Sequence, residues 1–265
     1  MTWASQTLAT PANEVIAAVR TGITISSIAT PRAKLVVREK GQWPDFINEA
    51  ELADFDHVPV TQDHEIVGIY DRGKGTLRDL SESMFMAADA SLLGYLEIAD
   101  SRRFAFLVSE SQIVGIVTLS DIQKLPVYCV LFSLLISVEM LLMDCIRAVC
   151  HDDPEKWMTF LGGKKKDIEY YWKESQQNNL ALLDKLSCAS FGHELTAAQG
   201  LGLTTADEFA TLERLKELRD STDHGKEIAF TPDHALKIPA RVRDAMKIQA
   251  VFQEKLKVLQ ARIIE

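Results

Sequence analysis

The run Ile113-Val-Gly-Ile-Val-Thr-Leu-Ser-Asp121 decides the fold. Ile113, Val114, Ile116 and Val117 are β-branched, so the first part reads as a strand. Thr118 and Asp121 then stand three apart, the residue types and spacing that open a helix. Just upstream, Phe104–Val108 reads as a second strand and Ser109-Glu110-Ser111-Gln112 as the turn between them. The same order occurs earlier in the chain. Val58-Pro59-Val60, the turn Gln62-Asp63-His64 and Glu65–Tyr70 align with it, and Ile66-Val-Gly-Ile-Tyr70 matches Ile113-Val-Gly-Ile-Val117. Helices precede both strand pairs, over Asn48–Asp54 and Leu92–Ala99. The unit is therefore helix, strand, turn, strand, present twice. One copy covers only one face of its strands, so two copies are expected to pack together.

Gly115-Ile-Val-Thr118-Leu-Ser-Asp121 resembles the closing signature of the cystathionine β-synthase (CBS) domain, which normally occurs as a tandem pair. The resemblance covers roughly residues 20–125. It implies an adenine nucleotide (AMP, ADP, ATP or a related adenosyl compound) as regulatory ligand. The residues it assigns to that ligand are Gly115, Ile116, Thr118, Asp121, Thr30 and Pro31. Asp121 would accept from the ribose hydroxyls, Thr118 would meet phosphate beside a helix start, and the Ala29-Thr30-Pro31 entry with Phe104–Val108 would sandwich the base. In the first copy Asp71 stands where Thr118 stands and Lys74 where Asp121 stands. A lysine cannot accept from a diol, so one of two sites is lost or remade, with Lys74 and Arg72 available to phosphate.

The chain has 265 residues, 47% hydrophobic and 25% charged, with a net charge of −9. That suits two soluble domains with real cores. It excludes a polycation, so any nucleic acid is met at a local site. The four cysteines form no C-x-x-C pair and read as small buried residues in a reducing compartment. Met1–Thr10 has neither the basic start nor the apolar run of a secretory signal. Leu125–Val138 is apolar but short of the ~20 residues of a span, and Glu139, Asp144 and Arg147 follow it. A buried helix, no membrane and a cytoplasmic location are expected.

From Pro126 the pattern becomes helical: Leu131–Val149, a helix begun by Asp153-Pro154, Lys164–Leu186 after Gly162-Gly163, a Gly-containing loop or short helix over Ser190–Gly202, Asp207–His224 behind the capping box Thr205-x-x-Glu208, and a last helix from Thr231-Pro232 to about Ile264. The expected fold is α+β: an N-terminal tandem module over 1–125, then an all-α bundle of four or five helices over 126–265.

Leu-Arg219-Asp220-Ser-Thr-Asp-His224, late in the penultimate long helix, resembles the R-x4-H hallmark of the HEPN superfamily (higher eukaryotes and prokaryotes nucleotide-binding), with Ser137-Val-Glu139…Arg147 on an apolar first helix. The resemblance implies a dimeric, metal-independent endoribonuclease of toxin or defence type. His224 would be general base or acid for attack by the RNA 2′-OH, Arg219 would hold the phosphate, and Asp220 would orient the imidazole. No metal or catalytic cofactor is expected. Implied partners are a second copy, RNA, the adenine nucleotide and an antitoxin or regulatory protein. The alternative is a non-catalytic CBS sensor whose helical part dimerises or holds RNA or protein. Arg219 and Asp223 are also spaced for an ordinary helical ion pair. The remaining histidines are assigned no role.

Overall fold

A computed structural model describes residues 12–43, 45, 52, 55–178, 184–223, 228 and 231–264. The Thr10-Pro11 cap, most of the expected Asn48–Asp54 helix, His224 and Gly225 lie outside the described residues. The chain is mixed α and β. It forms two compact units that cut it differently from the sequential 1–125 and 126–265 division. One holds the chain through Thr21, Tyr128–Ile228 and Ala240–Glu265; the other holds Gly22–Val127 and Ala229–Pro239.

The Gly22–Val127 unit is built on two four-stranded sheets. Its strands are β1 (Thr30–Pro31), β2 (Arg38–Glu39), β3 (His57–Gln62), β4 (Glu65–Asp71), β5 (Thr76–Asp79), β6 (Phe85–Ala87), β7 (Phe104–Ser109) and β8 (Gln112–Thr118), with α2 (Leu92–Ile98) between β6 and β7. The sheet orders are β2-β3-β4-β5 and β1-β8-β7-β6. The pairings correspond strand for strand. β2 and β6 run parallel to β3 and β7, and β3–β4 and β7–β8 are antiparallel hairpins. Each hairpin turns through two residues at positive φ, Asp63 and His64 (52° and 67°) and Glu110 and Ser111 (49° and 68°). Positive φ at both central residues is the tight turn that matches strand twist. The pairing slips at the equivalent place in both, between Val60 and Thr61 and between Leu107 and Val108.

Gly68 and Gly115 are equivalent too. A Cβ on Gly68 would stand 2.6 Å from the Arg78 carbonyl oxygen, and one on Gly115 2.7 Å from that of Thr30. Each glycine lets an edge strand, β5 or β1, lie close. The core runs across both sheets: Ile66 and Ile69 of β4 cluster with Phe104, Phe106 and Ile116 of β7 and β8 and with Met84. The other face of the first sheet buries Val58, Val60, Tyr70 and Leu52.

The two repeats end differently. After β8 the chain enters a short 3-10 helix, Leu119–Gln123, opened by the capping box of Thr118 and Asp121. After β4 it makes the tight turn Arg72–Gly75 and returns as β5.

The other unit holds α1 (Ala12–Gly22, through Thr21), α3 (Leu125–Val149, from Tyr128), α4 (Lys165–Gln177), α5 (Phe191–Gly200), α6 (Ala206–Asp223) and α8 (Ile238–Ile264, from Ala240). α3 begins at Leu125 instead of Leu131 and runs unbroken through Glu139 and Asp144. Both carboxylates meet arginines (Arg219 and Arg147), so neither charge stops the helix. Among the described residues α3 alone is long and apolar enough to cross a membrane by length and composition, and 61% of its most apolar window is buried inside the protein. Its Cys145 thiol donates to the Phe252 carbonyl of α8, 3.5 Å away. Burial pushes that thiol up to about 12. Cys150 is buried as expected, whereas Cys129 is exposed.

Three further helix boundaries differ from the pattern-based reading. Asp153-Pro154 opens no α-helix; a 3-10 stretch, Lys156–Lys164, follows, with Gly162 at φ 57° inside it. α4 ends at Gln177. The expected Thr231–Ile264 helix is two: α7 (Pro232–Ala235), capped by Thr231, and then α8. Pro239 lacks the N–H a helix continuing from α7 would need, and it is tolerated in the first turn of a new helix, where it stands in α8.

Candidate functional site

Equivalent ends of the two repeats line one groove. The starts of β3 and β7 bring Asp56, His57, Arg103 and Phe104 to it; the ends of β4 and β8 bring Asp71 and Thr118. The groove measures about 1150 Å³ and lies wholly within the sheet-bearing unit. It is at or above the upper end of the size usual for small-molecule sites.

Its wall has an aromatic and a cationic part. The His57 ring packs on Phe104 with centroids 4.6 Å apart. Burial lowers the His57 pKa, with Asp71 and Asp56 pulling the other way, so the ring is neutral at neutral pH. The Arg78 guanidinium sits 5.6 Å from the Phe104 centroid, within cation–π range. Arg78 and Lys74 flank the Asp71 carboxylate at 3.5 and 3.9 Å. Arg102 donates to the Phe85 carbonyl oxygen at 3.2 Å. Arg103 is exposed and has no ion pair among the described residues. Four cations thus face two carboxylates, Asp56 and Asp71, in a chain whose net charge is −9. At the other end the Thr118 and Ser120 hydroxyls stand 2.8 Å apart on the wall. Thr231, Pro232 and Ala235 of the α7 segment complete it.

The residues expected to bind nucleotide fall into two groups. Thr118 is on the groove. Thr30, Pro31, Gly115 and Ile116 come together elsewhere, as the β1–β8 pairing, with Thr30 opposite Ile116 and Pro31 opposite Gly115. Asp121 is only 5% exposed. One of its oxygens accepts from the Thr118 N–H (2.6 Å) and hydroxyl (3.1 Å), and the other meets Lys124 Nζ at 2.6 Å. Its carboxylate is committed to a capping box and an ion pair. In the first repeat Lys74 lines the groove, but Arg72 turns away and donates to the Leu52 carbonyl.

Sequence reasoning passed over Arg78 and His57. A signal for Arg78 was present, because Thr76-Leu-Arg-Asp79 repeats the T-L-x-D of Thr118–Asp121. The structure makes it a strand that carries Arg78 into the groove.

In the helical unit, Arg219 faces inward. Its guanidinium meets Glu139 of α3 at 3.4 Å and its neighbour Asp220 at 3.3 Å. Burial pushes the Asp220 carboxyl up, but hydrogen bonds from Lys216 (2.8 Å) and Arg219 outweigh this and hold it low. Glu194 of α5 is 1% exposed. Burial first, then the nearby Glu139, raises its pKa well above the ordinary value, against the pull of Arg219 and Arg147. Ser137 is fully buried and donates to the Leu134 carbonyl. Arg147 does not join this cluster. It clamps Asp184 at 2.7 Å and also reaches Asp144. His224 lies outside the described residues, so Arg219 and His224 are not brought together in a described site. Among the described residues no group of three or more His, Cys, Asp or Glu could hold a metal ion.

No protein-family model matches the chain, and no curated protein matches it. Among solved structures, it is similar to the CBS domain of the bacterial CNNM/CorC family Mg2+ transporter in complex with ATP. The identity is 17% and the TM-score 0.32, covering 42% of this chain and 91% of that one. A second structure of the CBS domain of that transporter family gives 18% and 0.31, covering 44% and 82%. Likeness at this level says nothing of ligand or activity.

Proposed function

We propose that the chain is a sensor: a tandem CBS-type module that binds an adenine nucleotide in the groove between its repeats, joined to a non-catalytic helical unit that dimerises or holds a partner. The observation that carries this reading is the groove itself. Equivalent positions of two repeats with matching strand pairing converge on it with stacking surface, cations and paired hydroxyls. Those are the parts a nucleotide needs for base and phosphate.

Connectivity supports a signalling role. The chain leaves the helical unit after α6, contributes Ala229–Pro239 to the sheet-bearing unit, and returns as α8. That excursion carries α7, whose Thr231 and Pro232 line the groove. A ligand there would touch the segment that joins α6 to α8. Any response to it needs different affinities in two states of the protein.

The endoribonuclease reading has less support. Arg219 is tied to Glu139 and Asp220, which suits a fold-holding cluster as well as a phosphate clamp.

The test uses the purified full chain with single-stranded RNA in chelator, with and without ATP, beside the His224→Ala variant, and a parallel measurement of fluorescent ATP binding. Nucleotide bound and RNA intact is the expected result. RNA cleavage by the wild type that His224→Ala abolishes would replace the sensor-only reading with the nuclease.

A further inference from the structure

We infer that the groove selects its ligand by phosphate rather than by ribose, so that a bare polyphosphate chain suffices to occupy it. This rests on the sensor reading and narrows its ligand class.

A ribose diol is held by a carboxylate that accepts from both hydroxyls. The groove has no carboxylate free for this at either signature position. Asp121 has both oxygens engaged, by Thr118 and Lys124, and is buried beneath the wall. Lys74, its counterpart in the first repeat, offers donors only. Asp71 is flanked by Arg78 and Lys74. Asp56 alone remains exposed, against four cations.

Those cations have separate origins. Lys74 comes from the β4–β5 turn, Arg78 from β5, and Arg102 and Arg103 from the segment before β7. β5 is where the first repeat departs from the second, so the departure that removes a ribose acceptor also supplies a guanidinium. Guanidinium groups match phosphate oxygens in charge and geometry. A positive site in an acidic chain concentrates polyanions locally, with an affinity that falls as salt rises.

Calorimetric titration of the full chain with adenosine, AMP, ATP and inorganic tripolyphosphate, in chelator, tests this. Tripolyphosphate and ATP are expected to bind within about tenfold of each other, and adenosine at least about a hundredfold more weakly. Arg103→Glu, a change at an exposed position, should weaken ATP and tripolyphosphate together by about tenfold or more without moving the melting temperature. Adenosine binding as tightly as ATP, or ATP binding without tripolyphosphate, would overturn the inference and leave the sensor reading standing. Tripolyphosphate binding without any nucleotide would keep phosphate recognition and remove the adenine sensor. Silence from all four ligands would remove both.

Discussion

Two places in this chain gather charge, and they do so in opposite ways. In the sheet-bearing unit, Lys74, Arg78, Arg102 and Arg103 line an open groove and outnumber the carboxylates beside them. In the helical unit, Arg219 is outnumbered by Glu139, Glu194 and Asp220, and the two glutamates are buried. A cluster whose arginine is held by carboxylates of its own and a neighbouring helix fixes those helices against each other. An exposed excess of one sign is a feature for a ligand. The difference teaches that the groove, not the arginine of the R-x4-H motif, is the surface presented to solution.

The largest expected effect lies in the helical cluster. Arg219→Ala removes the guanidinium that meets the buried Glu139 carboxylate and should cost about 3 kcal/mol of stability, read by denaturant unfolding. An unchanged midpoint would mean that Arg219 is held for chemistry rather than for the fold.

Next are the glycines under the edge strands. Gly68→Val and Gly115→Val should each destabilise the sheet-bearing unit by roughly 1–3 kcal/mol, and by similar amounts, because their surroundings match. Unequal costs would break the equivalence of the repeats.

Glu194→Gln sharpens the comparison through pH. The Glu194 carboxyl is neutral in the fold above the pH at which an unfolded glutamate, near 4.5, ionises. The folded state then holds a proton the unfolded state has released. Stability therefore falls as pH rises above 4.5. The variant should lack that fall and be the more stable protein at neutral pH, as melting curves across pH would report.

Smallest is the effect of Lys74→Ala on stability. The side chain is 68% exposed and its contact with Asp71 is long, so the change should stay within about 0.5 kcal/mol. Its ligand affinity should nonetheless drop.

The repeat was legible because β-strands with a hydrophobic alternation and a two-residue turn leave a local pattern, and both hairpins formed as read. The edge strands were not. β1 and β2 are two residues long, too short for any period, and β1 joins the sheet of the second repeat although it precedes the first. Asp121 was legible as a signature residue, but one residue type serves both capping and ribose binding, and the fold pairs its second oxygen with Lys124. Arg78 was obscured because its four-residue strand lies outside the helix, strand, turn, strand unit that the repeat defines. α7 was merged with α8 because the Thr231-Pro232 start signal outweighed Pro239 a few residues later.

Hydrogen exchange of the full chain with and without ATP tests the central claim most directly. The account predicts slower exchange in Arg102–Phe104, Thr118–Gln123 and Thr231–Ala235, three of the segments that line the groove. Protection confined to α6 around Arg219, or none anywhere, would contradict it.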